Sequence, residues 1–166
     1  TVNDQRNVAP RPFYYTDIFV DPENELRLYN LHSRLTRSED GGKSFETIGR
    51  GVHSDHHALW IDPGNPEHLL LGTDGGVYIS RDRGDHWRFV DNLPVGQFYH
   101  VSVDFEVPFN IYGGMQDNGS WRGPSDVWEN GGIRNYHWQE VGFGDGFGTL
   151  IDPSDPNLGY AMSQGG

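Results

Sequence analysis

An excess of glycine, proline and aromatic residues, a hydrophobic segment ending in aspartate that returns at near-constant spacing, and two copies of one turn motif predict an all-β chain of four-stranded antiparallel propeller blades. The chain has 166 residues, of which 34% are hydrophobic and 13% aromatic, with 23 glycines and 10 prolines. That mixture suits many short strands joined by tight turns better than it suits helices.

The repeat comes first because it sets the blades. Ile18-Phe19-Val20-Asp21-Pro22 returns as Leu59-Trp60-Ile61-Asp62-Pro63, as Val101-Ser102-Val103-Asp104 and as Thr149-Leu150-Ile151-Asp152-Pro153, with the aspartates 41, 42 and 48 residues apart. One four-stranded blade fits that period, whereas Gly and Pro interrupt every candidate helix of a helical repeat. Blades are expected over residues 16–57, 58–98 and 99–146, with a half-blade over 147–166 and a lead-in segment over 1–15, all parts of one propeller domain. About three and a half blades form an incomplete ring, because propellers generally need at least about four. The open strand edges and bare faces are expected to be covered by further blades or by a protein partner.

Within the second blade, Ala58–Ile61 reads as a fully buried inner strand, ended by the turn Asp62-Pro63-Gly64-Asn65-Pro66. Leu69–Gly72 makes the second strand, Thr73–Gly76 a turn, Val77–Ser80 the third strand, and His86–Val90 the outer fourth. Between the third and fourth strands lies Ser80-Arg81-Asp82-Arg83-Gly84-Asp85-His86-Trp87. The first blade carries Ser38-Glu39-Asp40-Gly41-Gly42-Lys43-Ser44-Phe45 at the corresponding place, and both fit Ser-x-Asp-x-Gly-x-x-aromatic. The physical reading is a hairpin turn in which the Asp40 or Asp82 carboxylate accepts hydrogen bonds from turn amides. Gly42 or Gly84 supplies a permissive backbone, and Phe45 or Trp87 packs between sheets. A calcium or substrate carboxylate is the alternative for the two aspartates. In the third blade the segment from Gly119 to Gly132 replaces the motif, and Trp138, 14 residues before Asp152, is expected in the slot that Phe45 and Trp87 take 17 residues before their aspartates.

The turn pattern resembles the Asp-box of bacterial neuraminidase-type repeats, and the chain is similar over nearly its whole length to sortilin-like and glycosyl-hydrolase-like Asp-box propellers. His53–Trp60, Gly72–Tyr78, Gly96–Val101, Gly113–Ser120 and Gly144–Phe147 carry the likeness. The resemblance implies a choice of roles: sialidases and xyloglucan hydrolases cleave glycosides, sortilin-type receptors bind peptides, and photosystem stability or assembly factors bind membrane complexes. It also implies an extracytoplasmic location, periplasmic or secreted, since these relatives are exported.

A formal charge of −12 repels a phosphate backbone, so nucleic acid is not expected as a partner. No apolar run is long enough to span a bilayer. Thr1-Val2-Asn3-Asp4 is neither an initiator Met nor a signal peptide, so a processed start or a longer parent protein is expected. The chain has no Cys, which excludes disulfides and thiolate chemistry.

Strand order puts the loops leading into the inner strands, and the turns joining second to third strands, on one axial face of a propeller. That face is expected to receive His53, Asp55, His56 and His57, then Asp74, Gln97, His100, Gln116, Asp117, Asn118, Asp145 and Gln164. His53, Asp55 and His57 could ligate a metal, though their spacing matches no standard zinc signature, and a structural imidazole network is the alternative. No cofactor is expected. Asp74, Asp117 and Asp145 could supply the paired carboxylates of a glycosidase, and Asp74 and Asp117 are the positions the xyloglucan hydrolase resemblance nominates. Gly-rich turns also use Asp to bond their own backbone. Arg122 and Arg134 lack the third arginine a sialidase needs. Tyr14, Tyr15, Phe98, Tyr99, Trp121, Trp128, Tyr136 and Trp138 are core residues or a sugar or protein platform, with Trp121 and Trp128 expected as exposed members of the third-blade insertion. The function expected is a non-catalytic binding or scaffolding segment, with a glycoside hydrolase fragment as the alternative and carbohydrate as a second ligand class.

Overall fold

The computed structural model describes residues 1–6, 8–93 and 95–166. Its strands run in chain order as three four-stranded antiparallel meanders and one hairpin. Blade 1 holds β1 (Asp17–Asp21), β2 (Asn24–Leu31), β3 (Leu35–Ser38) and β4 (Glu46–Thr47). Blade 2 holds β5 (His56–Ile61), β6 (Leu69–Thr73), β7 (Gly76–Ser80) and β8 (Arg88–Phe89). Blade 3 holds β9 (Phe98–Val103), β10 (Asn110–Met115), β11 (Ser120–Pro124) and β12 (Gln139–Gly142), and the hairpin pairs β13 (Gly146–Asp152) with β14 (Asp155–Ser163). Each of the three four-stranded sheets pairs consecutive strands, the meander of a propeller blade. Among the described residues the chain is all-β, apart from one 3₁₀ turn at Asn135–His137. It divides into two compact units, Thr1–Asp91 and Asn92–Gly166.

In the first unit the core is built from the second strands of both blades. Tyr29 and Leu31 from β2, Leu35 from β3, and Leu69 and Leu71 from β6 are fully buried, joined by Ile48, Leu59 and Tyr78. Each buried leucine contributes about 1.5–3 kcal/mol of hydrophobic stabilisation. Trp87 packs on the edge of this cluster and stays half-buried. The expected fully buried inner strand Ala58–Ile61 is corrected here: Leu59 is 6% exposed but Trp60 is 50% exposed. Period-2 alternation gives one covered face, and Trp60 lies on the other.

The two serine–aspartate turns close in the same way, but with a different division of labour from the one expected. The Ser80 hydroxyl accepts from the Gly84 and Asp82 amides at 2.8 and 3.3 Å and donates to Asp82 Oδ1 at 2.8 Å. The Asp82 carboxylate takes the His86 amide at 2.9 Å and the His86 ring nitrogen Nδ1 at 2.7 Å. Ser38 and Asp40 repeat this with Gly42 and Ser44. The serine therefore holds the buried amide, and the aspartate closes the outer, wetter part of the turn. Gly84 sits at φ +92°, and a Cβ there would lie 2.7 Å from Ile48, so both conformation and packing exclude a larger residue.

In the second unit, blade 3 and the hairpin meet backbone to backbone. A Cβ on Gly114 would fall 2.4 Å from Phe147 N, and one on Gly146 2.3 Å from Gly119 O. Trp138 lies against Gly123 and near Phe98, with ring centroids 6.2 Å apart, so it packs on its own sheet. Ser120–Pro124 forms the third strand, so the remodelled part of this blade starts after Pro124.

Candidate functional site

The loop His53–His57 does not present its side chains together. Asp55 adopts φ +60°, and His56 and His57 are the first two residues of β5, so strand alternation sends their side chains to opposite faces before the bulge between His56 and Ala58. His53 lays its ring over Gly75, where a Cβ would sit 2.4 Å from His53 Cγ, while its amide donates to Tyr78 Oη at 3.1 Å. His56, expected on the axial face, is instead buried: its amide and its Nδ1 both lie against the His32 carbonyl, at 3.0 and 3.1 Å. Burial pushes its pKa down, and burial does the same to its neighbour His32. The Nε2 atoms of both rings are buried without a hydrogen-bond partner.

His57 is the member of the loop that turns outward. Its Nε2 lies 2.7 Å from Asp74 Oδ1, which the turn after β6 brings alongside through the Asp74 amide donating to Asp55 O at 3.2 Å. The lead-in segment completes the cluster. Tyr15 donates its hydroxyl to the Asp55 carboxylate and stacks obliquely on His57, with centroids 4.9 Å apart. Burial first, and that hydrogen bond second, push the Tyr15 pKa up to about 12. Tyr14 meets His57 edge-on at 6.2 Å and remains 64% exposed. Arg11 lies 5.3 Å from the Tyr14 centroid and 5.4 Å from that of Tyr15. The first unit thus carries an amphipathic patch in which Asp55 is committed to Tyr15, Tyr14 and His57 are exposed, and the half-buried Asp74 pairs with His57. Arg11 and His32 were not picked out from sequence; an Arg shortly before the Phe-Tyr-Tyr run was the available signal for Arg11.

In the second unit the polar turn is tied to itself. Asp117, at φ +57°, donates its amide to the Asp145 carboxylate at 2.8 Å. Gln116 accepts from Tyr99 at 2.9 Å, and Tyr99 stacks on Phe147 with centroids 4.8 Å apart. Asn118 donates to Gln116 O at 2.7 Å, and the Gln164 amide donates to Asp145 O at 3.0 Å. Gln97 and His100 are exposed. Trp121, expected as an exposed residue of the insertion, lies in β11, half-buried, with its indole donating to Asn118 O at 2.6 Å. Trp128 is fully exposed at 102%. Among the described residues, no three His, Cys, Asp or Glu side chains are grouped to hold a metal ion.

No protein-family model matches the chain, and no curated protein matches it. Among solved structures it is similar to an ancestral GH74 enzyme, at 19% identity and TM-score 0.45, over 87% of this chain and 21% of that one. The GH74 xyloglucanase from Xanthomonas campestris is similar at 17% identity and TM-score 0.40, over 87% of this chain and 26% of that one. YCF48 bound to D1 peptide is similar at 14% identity and TM-score 0.34, over 82% of this chain and 51% of that one. The chain therefore spans between 21% and 51% of the length of these proteins.

Proposed function

We propose that the chain is a non-catalytic binding segment of an Asp-box propeller, acting outside the cytoplasm as part of a scaffold for a larger protein assembly. The observation that carries this reading is the patch on the first unit. An exposed tyrosine, a cationic Arg11 behind it and an outward His57–Asp74 pair combine aromatic area with paired charge, the composition of a protein-recognition hot spot. The ligand class it suits is an extended peptide with cationic side chains, which Asp74 and the overall charge of −12 would attract. Carbohydrate stacking on Tyr14 is the second ligand class.

The glycoside hydrolase reading needs two carboxylates facing one substrate, one protonated and one ionised. Against it, Asp74 is engaged by His57 and the Asp145 carboxylate caps the Asp117 amide, so these two carboxylates serve a pair and a turn. No helix among the described residues is long and apolar enough to cross a membrane.

The test has two arms. The purified chain is expected to release no sugar from β-glucan, xyloglucan or sialosides, and to retain basic peptides from an arrayed library through Tyr14 and His57. Hydrolysis that disappears in Asp74→Asn or Asp117→Asn would replace this reading with the enzymatic one.

A further inference from the structure

Blade 3 departs from the repeat at two places, and both lie at the same end of its sheet. Elsewhere the turn that follows the repeat aspartate is polar or proline-rich: Pro22-Glu23-Asn24-Glu25, Pro63-Gly64-Asn65-Pro66 and Pro153-Ser154-Asp155-Pro156. After Asp104 it reads Phe105-Glu106-Val107-Pro108-Phe109. The connection from third to fourth strand has 7 residues in blades 1 and 2, 39–45 and 81–87, and 14 in blade 3, 125–138. The Ser125 amide donates to Phe109 O at 2.9 Å, which fixes the start of the long connection beside the apolar turn.

Both segments project apolar side chains. Val107 is 97% exposed and Trp128 102%, and Phe105, Phe109 and Tyr136 are exposed with them. Blade 1, which packs against blade 2 through the shared core, keeps Pro22, Glu23 and Glu25 of its own turn exposed. Exposure therefore comes with the place of this turn at the end of the sheet, and in blade 3 alone that place is filled by large apolar residues. Side chains near full exposure stand clear of their neighbours, so the surface is convex: it is shaped to enter an apolar phase, not to receive a ligand.

The acidic groups of the same segments are folded back. Glu106 accepts from Asn110 Nδ2 at 2.7 Å and faces Arg122 at 3.7 Å. Asp126 accepts from the Val127 amide at 2.8 Å. Glu129 accepts from the Tyr136 hydroxyl and, at 3.1 Å, from His137 Nε2. The Arg134 amide donates to His137 Nδ1 at 2.8 Å, so the neutral ring carries its proton on Nε2, the atom that faces Glu129. Each carboxylate thus keeps a donor from its own blade, and the tips can leave water without stripping an unpaired charge. Arg134, exposed in the same connection, suits a lipid phosphate.

We propose that this end of blade 3 is an interfacial membrane anchor, in which the Phe105–Phe109 turn and Trp128 enter the headgroup–acyl boundary of a zwitterionic bilayer. Trp and Tyr favour that boundary, and shallow burial of apolar side chains holds a protein on a membrane without spanning it. The formal charge of −12 opposes anionic lipid, so zwitterionic headgroups are the surface it fits. The inference uses none of the residues of the first-unit patch and stands apart from the peptide-binding role proposed for it.

The full chain, mixed with large unilamellar phosphatidylcholine vesicles and sedimented against a vesicle-free control, should partition onto them. Raising salt should change this little, and replacing phosphatidylcholine with phosphatidylglycerol should reduce it. Trp128→Ala and Val107→Asp should each lower the partition coefficient by about tenfold or more. Hydrogen exchange of the β9–β12 amides should stay as in the parent chain, because both side chains are exposed. Phe13→Ala removes a similarly exposed aromatic from the lead-in segment and should leave partition unchanged. Partition unmoved by both blade 3 substitutions, or lowered as much by Phe13→Ala, would overturn the proposal. Binding confined to phosphatidylglycerol vesicles would overturn it too, and no partition onto any vesicle would do so in favour of a protein partner at these tips.

Discussion

Replacing Ser80 by alanine removes one oxygen and leaves the fold of blade 2 otherwise the same size. That oxygen is almost fully buried and is the acceptor of the Gly84 amide at 2.8 Å and the Asp82 amide at 3.3 Å. Gly84 is itself buried against Ile48 and Leu69, so water has no route to its freed N–H. A stranded buried donor costs about 1–3 kcal/mol, and loss of the longer second bond adds a few tenths, so Ser80→Ala should destabilise the first unit by about 2 kcal/mol. Asp82→Ala should cost less, about 1 kcal/mol, because its side chain is 42% exposed and water can replace it at the His86 amide. Urea denaturation of the purified variants, with hydrogen exchange at β6 and β7 amides reading the first unit separately, gives both numbers. A Ser80→Ala cost below about 0.5 kcal/mol, or one smaller than that of Asp82→Ala, would refute the assignment of the serine as the buried hub of the turn.

Trp87→Ala should destabilise by about 2–4 kcal/mol, below or within the range for a fully buried tryptophan because the ring is half-buried, as measured by the same denaturation series. Buried neutral His32 and His56 have pKa values below the ordinary 6.5, so the unfolded chain takes up their protons first as the pH falls. Their contribution is therefore complete above about pH 6.5 and is lost as the pH falls toward the folded values. Melting of the first unit should drop between pH 7 and 5, and His56→Gln should flatten that drop; an unchanged slope would count against it. Burial is the largest single influence on the Asp82 and Asp104 carboxyls and acts to raise them, but the hydrogen bonds they accept from turn and strand groups together hold both below their ordinary 3.8. A second loss of stability should follow below about pH 4, and melting curves flat to pH 2 would contradict it. With the edge of β14 unpaired, the isolated chain should self-associate as concentration rises, whereas a monodisperse monomer at all concentrations would argue against an exposed edge.

The repeat made the blades readable because each strand pair is a local event: an apolar run, an Asp-Pro turn and a return strand. The resulting four-strand order is found in blades 1 to 3. What sequence could not give was the direction of single side chains wherever a bulge or a left-handed residue breaks alternation. His56 and His57 are consecutive residues of β5, so alternation buries one and exposes the other, a split that a reading of both as loop residues could not assign. Trp121 was misplaced because glycines on both sides suggested a loop, while β11 pairs in regular register from Gly114–Ser120 to Asn110–Pro124. The serine of the turn motif was recognised as part of the pattern, but its burial depends on Ile48 and Leu69 packing around Gly84, contacts distant in sequence. Arg11 and Tyr14 joined the patch for the same reason, since only the folded lead-in segment sets them beside His57.

The central claim is that recognition resides in the Tyr14–His57–Asp74 patch and stability in the serine–aspartate turns. Its most direct test is to measure melting and peptide affinity together for Tyr14→Ala, His57→Ala and Ser80→Ala, using one basic peptide selected from the arrayed library. Tyr14→Ala and His57→Ala should lose about tenfold or more in affinity with nearly unchanged melting, and Ser80→Ala should melt earlier while the folded fraction binds as before. Affinity that falls only in proportion to lost folded protein across all three variants would contradict it.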